Sequence, residues 1–198
     1  MCAINFLDIV DIDESGYYKS ASQWIHGHAL ERAPCVAFGD AARTHPHYST
    51  LIAVDARVGV ISDMEFNGGT TSEFFYAFVA FMLIPQLVDT GRRIVMLDRL
   101  ASHYGDVLEL LRNAGHIVVF RPSHSPIFGP VEWVFHYVEM FLQSHALFVT
   151  NENLKQYVKL ALATVTPNDI MGYMSQAHYC VPGYEYRPYM GRGLKCMW

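Results

Sequence analysis

Charge is scarce in this chain. Only 17% of its 198 residues are Asp, Glu, Lys or Arg, while 52% are apolar, a balance that argues against disorder and for a buried α/β protein. A basic excess is missing too, since the formal net charge is −5. A stand-alone DNA binder that grips phosphates through a basic footprint usually shows the opposite sign, although a local acidic metal site would contribute to this balance. Cysteine is sparse and poorly spaced. Cys2, Cys35, Cys180 and Cys196 form no C-x-x-C pair, and adding His178 gives no common zinc spacing. An even cysteine count does not make a disulfide framework in a chain this long, so free thiols in an intracellular protein are expected. No signal peptide opens the sequence, which runs from Met1-Cys2-Ala3 directly into an apolar stretch carrying acids. The longest membrane-like run, residues 74–84, is too short to span a bilayer and reads as a buried helix. Internal repeats and low-complexity tracts are absent as well. The length suits one medium-sized domain able to bury a real core.

What is present is an alternation of short apolar runs. Residues 4–12 read as a strand, with Glu14-Ser15-Gly16 as its turn. The stretch 17–34 is irregular, with room for a second strand and a loop around Trp24, Gly27 and Pro34. Residues 48–55 form a clear strand, and residues 58–62 its hairpin return past Asp55-Ala56-Arg57. After Asn67-Gly68-Gly69, Thr70 or Thr71 can cap a helix that runs to about Leu83, supported by Glu73 in its first turn. The phenylalanines Phe74, Phe75, Phe78 and Phe81 have helical spacing and are expected in the core, with Trp133 and Phe135. Residues 94–97 are a short buried strand, 106–114 a helix stopped by Gly115, and 116–120 another strand. Gly129-Pro130 opens a further helix reaching about Phe148, with Pro at its start. An antiparallel meander followed by β-α-β-α alternation implies a mixed sheet with helices on its faces. Residues after about Thr166 are rich in Pro and Gly, and their end reads as a loop or tail.

The chemistry concentrates at one end of this sheet. Asp98 ends the run 94–97; a charge there would be costly inside a sheet, so it belongs at the strand's exposed C-terminal end, where open α/β sheets bind ligands. Glu132 lies in the first turn of the helix that Gly129-Pro130 opens. This layout can bring two carboxylates together.

Several blocks in order resemble the DDE endonuclease domain of mariner-type transposases and their insertion-sequence relatives. The first block is Asp13-Glu14-Ser15-Gly16-Tyr17, followed by Trp24, Gly27 and Pro34. A helix segment with Gly69, Phe75, Phe78, Leu83 and Pro85 comes next. The second block, usually Asp-Asn-Ala-x-x-His, is here Asp98-Arg99-Leu100-Ala101-Ser102-His103. The third, usually Pro-x-x-Ser-Pro-x-x-Asn-Pro-x-Glu, runs from Pro122 through Ser125-Pro126 and Gly129-Pro130 to Glu132. The 33 residues between Asp98 and Glu132 are close to the family's spacing, and the segment from Cys180 to Tyr184 is similar to one near its C-terminus.

The resemblance implies a ribonuclease H-like fold: an α/β domain with a mixed five-stranded sheet flanked by helices. It implies a catalytic domain over residues 1–166, with 167–198 as a C-terminal extension or tail. The implied activity is metal-dependent DNA cleavage and strand transfer. Asp13, Asp98 and Glu132 would be the ligands of two Mg²⁺ (or Mn²⁺) ions, with Asp98 as the bridge and His103 near the substrate. Asp11 competes with Asp13, because it lies on the same strand face two residues away. Glu14 reads as structural. Arg99 and Arg121 could each contact a phosphate or pair with an acid of the site. The implied partners are the DNA of transposon ends and target, with room for a homodimer and no membrane, and the implied location is intracellular, nuclear in a eukaryote. Two residues leave the family pattern: Arg99 and Gly129 stand where it has Asn. Full transposases of this type also carry a helix-turn-helix region ahead of the first strand, where this sequence starts. The alternative expectation is therefore an inactive or co-opted remnant that serves as a nucleic-acid-binding or protein-interaction module.

Overall fold

Five apolar runs pair into one mixed sheet in the computed structural model, which describes residues 5–18, 48–91, 93–98, 105–121, 128–177 and 179. A single 3₁₀ turn, Phe6–Asp8, leads into β1 (Ile9–Tyr17). Then come β2 (Tyr48–Asp55), β3 (Gly59–Asn67), β4 (Ile94–Leu97) and β5 (Ile117–Phe120). The strand order is β3-β2-β1-β4-β5. The β1-β2 and β2-β3 pairs are antiparallel, and β1-β4 and β4-β5 are parallel. The expected turn at Glu14-Ser15-Gly16 does not occur. Those residues stay extended and pair with Leu51, Thr50 and Ser49, because the long partner strand supplies a ladder that offsets the weak strand propensity of this stretch.

The helices α1 (Ser72–Ala77), α2 (Ile84–Leu87) and α3 (Gly105–Asn113) belong to one side of the sheet. Their core joins Phe75, Phe78, Leu83, Leu87, Val107 and Leu111 to Val10, Ile12, Val95 and Leu97. The Thr71 side chain caps α1 by accepting the Phe74 N–H at 3.4 Å. Between α1 and α2 the helix makes a π turn, Phe78–Leu83.

The other face is covered by α4 (Pro130–Ser144), α5 (Leu154–Thr164) and α6 (Pro167–Gln176). Val131, Val134, Phe135, Val138 and Leu142 of α4 are buried against Ile9, Tyr17, Ile52, Val54 and Met96. Each such side chain contributes about 1.5–3 kcal/mol when fully buried. Residues 167–177, the start of the expected extension, join this core through Ile170 and Met174. Side chains alternate along a strand, so Asp11 and Asp13 share the Ile9 and Tyr17 face beneath α4.

The phenylalanine series divides. Phe75 and Phe78 are buried, but Phe74 is 39% and Phe81 75% exposed, which corrects the expectation that all four lie in the core. A π turn inserts one residue into the helical repeat. Past it the buried positions fall at Leu83 and Leu87, one residue later than an α-helix would place them, and Phe81 swings outward.

Candidate active site

Asp98 follows β4 directly, as its place after an apolar run implied. The parallel register pairs Asp11 with Met96, and Asp13 and Asp98 each lie two residues beyond that pair on their own chain segments. Glu132 enters from α4, whose first turn rests on the same sheet end. Gly129 occupies the N-cap position without a side-chain bond, and Asp11 takes over that role from a distance. Its Oδ2 accepts the Val131 N–H at 3.1 Å, so a buried strand carboxylate satisfies an orphan donor of the helix.

The acids influence one another. The Glu132 carboxyl is pushed up to about 7, first by burial and then by the Asp13 charge. A hydrogen bond to Asp13, for which Glu132 must carry the proton, and the Asp98 charge act in the same direction, while Arg121 opposes them. Burial also raises Asp11 to about 7, against the pull of Arg121. Crowded, half-buried carboxylates of this kind mark functional sites, because a cation would relieve them.

A cation of the chain's own is present. Arg121 continues β5, its N–H bonded to Leu97 O at 2.8 Å, and its side chain turns into the cluster. Nη2 donates to Asp13 Oδ2 at 2.7 Å, and Nη1 stands 3.7 Å from Asp11 Oδ2. Burial works against the Arg121 charge, but Asp11, Asp13 and Glu132 more than offset it and hold its pKa up. Among the described residues no three His, Cys, Asp or Glu side chains stand ready to hold a metal ion. The oxygen donor set suits a hard divalent cation; Arg121 lies within it.

The model of the DDE superfamily endonucleases matches residues 8–155. The chain belongs to this family. No curated protein matches it. Among solved structures, the DDE endonuclease fold of this chain superposes on the pre-cleavage Mos1 transpososome with a TM-score of 0.69 at 17% identity, over 87% of this chain and 52% of that one. The Mos1 strand transfer complex gives 0.66 at 17% identity, over 87% and 51%. The catalytic domain of Mos1 mariner transposase gives 0.56 at 18% identity, over 87% and 76%. The chain thus spans about half the length of the Mos1 transposase in its assemblies. At these identities the likeness carries the fold, the ribonuclease H-like sheet flanked by helices.

Of the sequence-derived site residues in this DDE domain, Asp13 and Asp98 both act on the Glu132 carboxyl, but the three are not drawn into a ready metal-holding group. His103 and Arg99 lie outside the described residues, as do Cys180, Cys196 and His178. The capping role of Asp11 is what sequence reasoning missed, while the pairing of Arg121 with an acid of the site is one of the two outcomes left open for it. Arg121 stands at the end of an apolar run, as Asp98 does, and that was its only sequence signal. No described helix is long and apolar enough to cross a membrane.

Proposed function

We propose that this DDE domain is the catalytic core of a mariner-like transposase, cutting and joining DNA phosphodiester bonds. The observation that carries the reading is that Glu132 lies near enough to Asp13 and Asp98 for both charges to raise its pKa. In this reading Asp13, Asp98 and Glu132 hold Mg²⁺ or Mn²⁺, which would supply an activated nucleophile and stabilise charge on the leaving oxygen. The chain's own groups do the rest. β1 carries Asp13, Asp98 follows β4 and α4 carries Glu132 in its first turn, while His103 is assigned to the substrate by the resemblance of its sequence block alone. Mos1 structures with Mg or Mn support this cofactor choice, and a Mos1 paired-end complex with a transposon end supports DNA as the partner. The reading assigns residues 1–166 to catalysis and 167–198 to an extension, allows a homodimer, and places the protein with DNA, in the nucleus of a eukaryote.

The experiment is cleavage of end-labelled DNA by the purified protein at millimolar Mn²⁺, beside Asp98→Asn. Metal-dependent cleavage that Asp98→Asn lowers by roughly 100-fold or more is expected, the scale of losing a main electrostatic contributor. Equal cleavage by both proteins would overturn the assignment. A second reading, a co-opted remnant that binds but does not cut, draws on one specific observation: Arg121 is ion-paired with Asp13 at 2.7 Å.

A further inference from the structure

The Arg121 side chain is only 3% exposed, yet it is not a saturated structural ion pair. A guanidinium carries five donors in a rigid fork. Here Nη2 bonds Asp13 Oδ2 and, at 3.4 Å, Ile12 O, while Nε and Nη1 find no hydrogen-bond partner among the described residues. Asp11 Oδ1, buried beside it, is also without one among them. The group is held by charge and by the room available to it.

Gly129 provides that room. A Cβ at this position would overlap Arg121 Nη1 and would lie 3.2 Å from Cζ and 3.3 Å from Asp11 Oδ2. The backbone does not ask for glycine, because φ −96° and ψ 109° are open to any L residue. Helix capping does not ask for it either, since Ser, Thr, Asp and Asn lead at the N-cap. What the absent side chain permits is the Arg121 guanidinium.

We propose that Arg121 is a built-in plug: admitted by Gly129, its guanidinium occupies the space among Asp11, Asp13 and Glu132 and keeps the affinity of this site for a divalent cation low. The inference rests on the reading of Asp13, Asp98 and Glu132 as the metal-holding set. Asp13 Oδ2 accepts a short charge-assisted bond from Nη2. A divalent ion bound to the same oxygen would bring two positive charges into close repulsion within a buried site. Metal and guanidinium therefore exclude each other, and the site opens only as Arg121 withdraws.

The test is Mn²⁺ binding to the full chain, followed by the electron paramagnetic resonance signal of free Mn²⁺. The proteins are wild type, Arg121→Gln, Gly129→Ala, and Asp98→Asn in both the wild-type and Arg121→Gln backgrounds, each checked for folding by circular dichroism. Arg121→Gln removes the competing charge and is expected to tighten Mn²⁺ binding by about 10-fold to 100-fold, the range of changes next to metal ligands. Gly129→Ala keeps Arg121 but takes its space, so it should tighten binding too, and it carries the comparison if Arg121→Gln does not fold. Asp98→Asn should reverse the gain. If wild type, Arg121→Gln and Gly129→Ala bind equally well and Asp98→Asn weakens all binding, the plug is wrong and the metal-site reading stands. If Asp98→Asn changes nothing in either background, the metal-site reading fails and the plug falls with it.

Discussion

A second buried arginine, Arg93, makes its ion pair away from the candidate site. Arg93, fully buried, meets Asp55 at the end of β4 opposite to Asp98. The Arg57 N–H also donates to Asp55 Oδ1, so the carboxylate is tied to its own turn as well as to the cation. Removing one partner of such a pair leaves a buried charge without compensation, which costs about 3–5 kcal/mol. Arg93→Leu should lose that much in a urea titration, and Arg93→Leu/Asp55→Asn should recover a large part of it; additive losses would show that the pair is not coupled. Asp98 was legible from the sequence, because an acid that ends an apolar run has few places to go. Arg121 ends a run in the same way, but the sequence left two roles open for it, a phosphate contact or a pairing with an acid of the site. Its partner Asp13 lies 108 positions away, and Gly129 is explained by that distant side chain and not by its own backbone.

At the scale of elements, strands and capped helices were readable where local signals agreed, and less so where tertiary contacts overrode them. β1 runs through a Glu-Ser-Gly stretch because β2 pairs with it along its length. The π turn could not be seen, since one inserted residue changes the phase of the apolar face without changing the composition. The start of α6 carried a signal in Thr166-Pro167-Asn168-Asp169, obscured by Gly172 inside the helix and the Pro- and Gly-rich stretch beyond. Thr166 and Asp169 form a capping box: Thr166 Oγ1 accepts the Asp169 N–H at 3.3 Å, and Asp169 Oδ2 accepts the Thr166 N–H at 2.8 Å. Because α6 contributes Ile170 and Met174 to the core, its cap bears on global stability. Thr166→Ala should lower the unfolding free energy by about 1 kcal/mol, moving the urea midpoint while leaving the slope unchanged. A changed slope would mean instead that α6 unfolds separately from the sheet.

For the whole molecule, the antiparallel meander joined to parallel strands was legible as a mixed sheet, because run lengths and helix alternation admit few other layouts. Where the molecule keeps its titratable groups was not legible, since burial is a property of the assembled layers. His116 is buried beside Arg93 and accepts the Arg93 N–H through Nδ1 at 3.3 Å, which requires that nitrogen to be unprotonated. Burial, and then the Arg93 charge, lower its pKa below the usual 6.5. The folded state therefore binds fewer protons here than the unfolded chain, so the stability this histidine contributes is complete above about pH 6.5 and drains away as pH falls through the lowered value. At the alkaline side the sign reverses. Burial raises Tyr173 and Tyr179 to about 12, so the folded state holds protons that the unfolded chain gives up from about pH 10, and stability declines as pH rises from there. Two consequences can be measured by urea unfolding across pH. Replacing His116 with Asn should flatten the decline below pH 6.5, and replacing both tyrosines with Phe should lessen the decline above pH 10, leaving the part set by Tyr17, which burial also raises. If either slope survives its substitution unchanged, the groups that set that limb lie elsewhere in the fold.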